Sequence, residues 1–197
     1  MSKQTINIGT TANDGIGDTL RDAMDITNDN FTELYYVAGW GNYSDAETTP
    51  ATLTINTTPS VLQIDGGGST SSSAYLPREI RGVSELWDTT NDKMTPINIG
   101  DAYDIRFSLE ITGKTGAPNV INVVLDIGVG AGITIPIAEV QIPVVTSPTF
   151  TVTGAIPIFC LTTFKTNGGR LFLSTDAGTL TVAARSVFIK RDFNGLL

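Results

Sequence analysis

A chain of 197 residues has room for one sizeable domain and an appendage, and two full domains would be cramped. Apolar residues make up 41%, enough for a real core, while only 16% are charged, so Thr, Ser, Asn and Gly or other subunits must cover the surface. Twelve basic against twenty acidic residues give a net charge of −8, which excludes a broad nucleic-acid-binding surface, and the lack of histidine removes the commonest general base and metal ligand.

The N-terminus, Met1-Ser2-Lys3-Gln4-Thr5, lacks the apolar core of a secretory signal, so synthesis and folding in a cytosol are expected. Membrane insertion is not expected, because Pro136, Pro143, Pro148 and Gly154 break up the most hydrophobic region before it approaches the ~20 apolar residues of a span. Residues 1–18 read as an extended arm, with Gly9, Gly15 and Gly17 as punctuation and Asn13-Asp14-Gly15 as a tight turn. Asp18 or Thr19 is placed to cap a helix over 19–38 that stops at Gly39, with Asp22 near the positive end of its dipole. Leu20, Met24, Thr27, Phe31, Leu34 and Ala38 follow one another at steps of four and three, the spacing of a coiled-coil seam. The rest of the helix is polar, so it gains little stability alone and needs a partner along that seam. The competing reading packs the seam on the chain's own β domain. Gly39-Trp40-Gly41-Asn42-Tyr43 argues against it by reading as a hinge, over 39–50, between two units.

From residue 51 to 197 the pattern alternates. Strands are expected at Thr52–Asn56, Val61–Asp65, Glu79–Trp87, Tyr103–Thr112, Asn119–Val129, Ile133–Ile142, Thr149–Thr153, Ile156–Phe164, Gly169–Ser174 and Thr179–Lys190. Glycine-rich turns separate them, and this many short strands predicts an antiparallel β-sandwich of the eight-stranded jelly-roll type. Ile121–Val129 and Ile133–Val145 are apolar at both phases of the alternation, which predicts cover on both faces, the second by a neighbouring subunit. Arg185, Lys190 and Arg191 read as a small basic edge.

No motif carries chemistry. Gly66-Gly67-Gly68 lacks the Gly-Lys-Ser/Thr of a phosphate loop and reads as a flexible connection. Asp14, Asp18, Asp22 and Asp25 lack calcium-loop spacing and read as capping and solvating groups. The five lysines stand in no Ser-x-x-Lys context, and carboxylate pairs for glycoside cleavage have no local signature. Trp40, Tyr43, Tyr75, Trp87 and Tyr103 are candidates for stacking on a glycan or receptor and equally for anchoring the core. Cys160 reads as a buried small hydrophobe. Neither catalytic residue, metal nor cofactor is expected.

Three stretches carry a resemblance: Asn7-Ile8-Gly9-Thr10, Asn13-Asp14-Gly15-Ile16-Gly17-Asp18-Thr19-Leu20-Arg21-Asp22-Ala23 and Asn28-Asp29-Asn30-Phe31-Thr32-Glu33-Leu34-Tyr35. They resemble the N-terminal signature of bacteriophage virion structural proteins, the tail fibres, spikes and other trimeric appendages. Ile16 stands where such sequences carry a small polar residue, and Thr27 where they carry Ile or Leu. The resemblance implies a non-enzymatic homotrimer assembled in the host cytoplasm and carried in the virion. Its helix would form a trimeric coiled coil, and Ile6, Ile8, Asn13, Asp14, Gly15 and Gly17 of the arm would dock on tail, neck or capsid proteins. A distal β domain would face a host-surface glycan or receptor. The alternative is a head-decoration or cement protein stabilising the capsid; a polysaccharide depolymerase is the third reading.

Overall fold

The computed structural model describes residues 4–11, 15–35, 38–45, 52–128, 133–142, 149–193 and 195. Two helices, α1 (Leu20–Tyr35) and α2 (Thr162–Asn167), accompany strands β1 (Gly39–Ser44), β2 (Leu53–Ile55), β3 (Ser60–Val61), β4 (Trp87–Asp88), β5 (Lys93–Met94), β6 (Ala102–Thr115), β7 (Val120–Asp126), β8 (Thr134–Gln141), β9 (Phe150–Phe159), β10 (Arg170–Thr175) and β11 (Thr179–Phe193).

One sheet runs β1-β11-β6-β9 and the other β3-β10-β7-β8, all pairs antiparallel. β2 pairs with Leu180–Val182 of β11, while β1 pairs with its far end at Ser186–Arg191. β1 and β2 are thus two halves of one edge position, with residues 45–52 between them. With that position counted once and the β4–β5 hairpin set aside, the sheets read first-eighth-third-sixth and second-seventh-fourth-fifth. This is the jelly-roll winding expected from the sequence.

The core follows from period-two alternation. Tyr103, Ile105, Phe107, Leu109 and Ile111 of β6 face Ile121, Val123 and Leu125 of β7 and Leu171 and Leu173 of β10 across the sandwich, all buried. The same alternation corrects the basic edge: Arg185, Val187, Ile189 and Arg191 share a phase, so both arginines point inward and only Lys190 is exposed. Both turn to buried carboxylates. Arg185 Nη2 lies 2.5 Å from Asp45 Oδ2, and Arg191 Nε lies 3.1 Å from Asp101 Oδ2, off the line of the N–H and therefore as an ionic contact. On β7 the outward Val120, Asn122 and Val124 are half-buried, while Pro136 and Glu139 of β8 are exposed.

Other expectations are revised. Gly39–Ser44, expected as part of a hinge, is a sandwich strand. Its glycines serve close approach: a Cβ at Gly39 would lie 2.3 Å from Pro77 N, and one at Gly41 2.7 Å from the Tyr43 hydroxyl. Glu79–Trp87 is not a strand until Trp87, because the Pro77 carbonyl accepts from Ile80 and Arg81 and the Ile80 carbonyl from Val83 and Ser84, winding the segment into turns. The two strands expected at 149–153 and 156–164 are the single β9, after which the buried Phe164 anchors α2. The 66–73 connection is bound to the edge of β1, with Asn42 and Ser72 exchanging both backbone hydrogen bonds and Gly68 N–H donating to Ser44 O.

Candidate assembly interface

The helix begins where its cap says it should. Asp22 N–H donates to Thr19 Oγ1 at 3.2 Å, the Thr19 hydroxyl donates to Asp22 Oδ2 at 2.6 Å, and Ala23 N–H donates to Thr19 O. This is a reciprocal cap, with the carboxylate in the first turn. Thr27, the polar residue of the seam, returns its hydroxyl to Ala23 O at 2.8 Å. The hydroxyl is thereby satisfied within the helix.

The arm folds back along the helix. Asp18 N–H donates to Asn7 O at 2.8 Å, Asp18 Oδ2 accepts from Asn7 N–H at 2.7 Å, and Asn7 Nδ2 reaches Ile16 O at 2.7 Å. Gly17 is part of the clip, since a Cβ there would lie 3.1 Å from Asn7 O. Further along, Gln4 N–H donates to Asn30 Oδ1 and Asn30 Nδ2 donates to Gln4 O, both at 3.0 Å. The helix residues that this leaves half-buried are Ala23, Ile26, Thr27 and Asn30. Ile26 belongs to no seam position; only its place one helical face away from Met24 hinted that a second apolar stripe exists.

Three apolar seam positions stay open. Leu20 is 81% exposed, Met24 53% and Phe31 58%. At these three positions the described residues of the arm and of the sandwich supply no cover. Leu34 lies in the last turn of α1, and Ala38, expected at the helix end, is exposed just before β1 and outside the helix. Among the expected docking residues, Ile8 is 88% exposed, Ile6 is half-buried, Gly15 takes a positive φ of 71°, and Asn13 and Asp14 lie outside the described residues.

The aromatic candidates split. Tyr43, Trp87 and Tyr103 are core residues and cannot stack on a ligand. Burial, then the neighbouring Glu85, pushes the Tyr43 hydroxyl far above its ordinary range; burial likewise raises Tyr103. Tyr75 is exposed and stacks on the half-buried Trp40 with centroids 4.9 Å apart.

At the end of the sandwich where α1 enters, a polar knot ties distant segments together. Asp101 accepts from Tyr103 Oη at 2.8 Å, Asn98 N–H at 3.0 Å and Gly195 N–H at 2.8 Å, and Arg191 bridges it to Glu79. Midway along β11 Asp45 accepts from Asp65 N–H at 2.8 Å beside Arg185. Burial holds the Asp45 carboxyl above its ordinary value, against the Asp65 N–H and the Arg185 charge. Among the described residues no three His, Cys, Asp or Glu side chains converge as metal ligands.

Two solved structures are similar to this chain. The PRD1 vertex protein P5 has a TM-score of 0.45 at 13% identity, over 80% of this chain and 73% of that one. The Eiger TNF of S. frugiperda has a TM-score of 0.47 at 11% identity, over 82% and 96%. No curated protein matches the sequence. A family does: the bacteriophage T4 gp9/10-like protein, N-terminal, matches residues 3–147, from the arm through the helix and into the sandwich beyond β8. By that match over most of its length, the chain belongs to the bacteriophage T4 gp9/10-like N-terminal family and is a phage virion structural protein.

Proposed function

We propose that the protein is a non-enzymatic, homotrimeric fibre- or spike-like appendage of the phage particle. Three parallel copies of α1 meet along Leu20, Met24, Thr27, Phe31 and Leu34. The arm, held against each helix by Asn7 and Gln4, presents Ile8 and Ile16 to a tail, neck or capsid protein. In a parallel arrangement the turns at 115–120 and 175–179, opposite the helix end of the sandwich, face outward and toward the host surface.

The observation that supports this best is the exposure of Leu20, Met24 and Phe31 on a helix whose other side already carries the arm. A 16-residue helix with three large apolar side chains in water is marginal alone, and other subunits supply what it lacks. Sedimentation equilibrium of the full chain tests the reading. Three times the protomer mass at micromolar concentration is expected, with Phe31→Glu reducing it to one; a wild-type monomer refutes it. Imaging of intact virions with antibody to the arm then locates the docking partner.

A further inference from the structure

The sandwich carries a second open apolar surface, beside the point where the helix enters. Phe193 of β11 pairs with Ala102 of β6, and Ala102 with Phe159 of β9, so the three form one cross-strand row. Directly opposed residues share a face, and Ala102 faces away from the core because its neighbour Tyr103 is buried. The ladder runs one step further, with Cys160 N–H donating to Asp101 O and Gly100 N–H to Cys160 O. Cys160 points inward and Leu161 back to the outer face. Phe159, Leu161, Phe193 and the nearby Ile99 are each about half exposed or more. β1 starts in the same end region, with Gly39 opposite Arg191, so the patch and the root of α1 share one end of the molecule.

We propose that a second copy of this chain covers the Phe159–Ala102–Phe193 patch, so that subunits meet through their sandwich ends as well as their helices. This rests on the parallel association proposed above, and three observations favour a copy as the occupant. The first is area: at about 100 Å² of accessible surface per partly exposed large side chain, Leu20, Met24 and Phe31 offer about 300 Å². A stable interface buries roughly 800 Å² per partner. Ile99, Phe159, Leu161 and Phe193 more than double this, to about 700 Å² per subunit on the same basis, shared between its neighbours.

The second is charge. Copies of a chain with net charge −8 repel one another except where the surface is neutral. Beside the patch two ion pairs are matched within the subunit, Lys190 Nζ to Asp192 at 2.6 Å and Arg106 to Asp104 at 2.6 Å. The third is placement. In a parallel bundle, patches at the root of the helix lie close to the shared axis, whereas an antiparallel pair would separate them.

The test is sedimentation equilibrium of the full chain with Phe159→Glu and Phe193→Glu combined. The expected result is a dissociation constant raised at least ~30-fold, with the circular dichroism of the sandwich unchanged because both side chains point to solvent in the single subunit. An oligomer as tight as wild type overturns the proposal while leaving the helix seam standing. A monomeric wild type overturns the seam reading, and this one with it. Should the double variant fail to fold, Leu161→Ser with Ile99→Ser removes apolar area without adding charge. About tenfold weaker association then supports the patch, and an unchanged constant overturns it.

Discussion

Removing the Asp101 carboxylate tests the buried polar knot most directly. Asp101 and Arg191 are both fully buried, and the carboxylate also accepts from Tyr103, Asn98 and Gly195. In Asp101→Ala the guanidinium keeps, among the described residues, Glu79, which is partly exposed, and breaking a buried pair on one side costs about 3–5 kcal/mol. Donors left without an acceptor add about 1–3 kcal/mol each where water does not replace the oxygen. The expected loss is therefore at least about 5 kcal/mol, a large part of the roughly 5–15 kcal/mol that holds a domain of this kind together. Asp101→Asn, which keeps the shape and removes the charge, should cost about 3 kcal/mol. Combined with Arg191→Met it should cost about 2 kcal/mol less than the two singles added. Urea denaturation followed by tryptophan fluorescence gives these values, with protomer concentration held constant because association shifts apparent stability. A loss under 1 kcal/mol for Asp101→Ala, or strict additivity in the cycle, would refute the buried pair as described.

Three further outcomes are expected. Gly154 lies opposite Phe107, and a Cβ there would sit 2.3 Å from the ring, so Gly154→Ala should lower stability by about 1–3 kcal/mol in a thermal melt. Burial pushes the Cys160 thiol up to about 11, so about one molecule in a thousand carries the thiolate at pH 8; reaction with a disulfide reagent should be slow in the native protein and fast in urea. The backbone N–H groups of Asn119 and Val120 hold the Asp176 carboxyl below its ordinary 3.8. Its contribution to stability is therefore full above that value and is lost as pH falls through the lower folded one. Asp176→Ala should flatten the acid limb of a stability profile below the ordinary carboxylate value, and a limb as steep as wild type would contradict the assignment.

Much of the architecture was legible in the residues because the signals are local. Thr19 and Asp22 mark the helix start through bonds made within one turn, and alternation in Tyr103–Ile111 and Leu180–Ile189 marks the central strands. Several misreadings share a physical cause: the neighbour that decides the residue's role is distant in sequence. Gly39 looked like part of a hinge because only the fold brings Pro77 against it. Arg185 and Arg191 looked like surface charge because Asp45 and Asp101, which make their burial tolerable, lie far away in the chain. Nothing local announces that Ile26 is half-buried, because Gln4 and Asn7, which bring the arm back along the helix, lie far from it in the chain.

By itself, then, the sequence determined the class of fold, the capped polar helix and its apolar stripe, since periodicity and capping are properties of neighbouring residues. Tertiary structure alone decided which stripe the arm covers and which stays open, and where a second apolar row forms beside the helix root. Phe159, Ala102 and Phe193 become neighbours only when three strands pair in one register, and register is set by the packing of the whole sandwich.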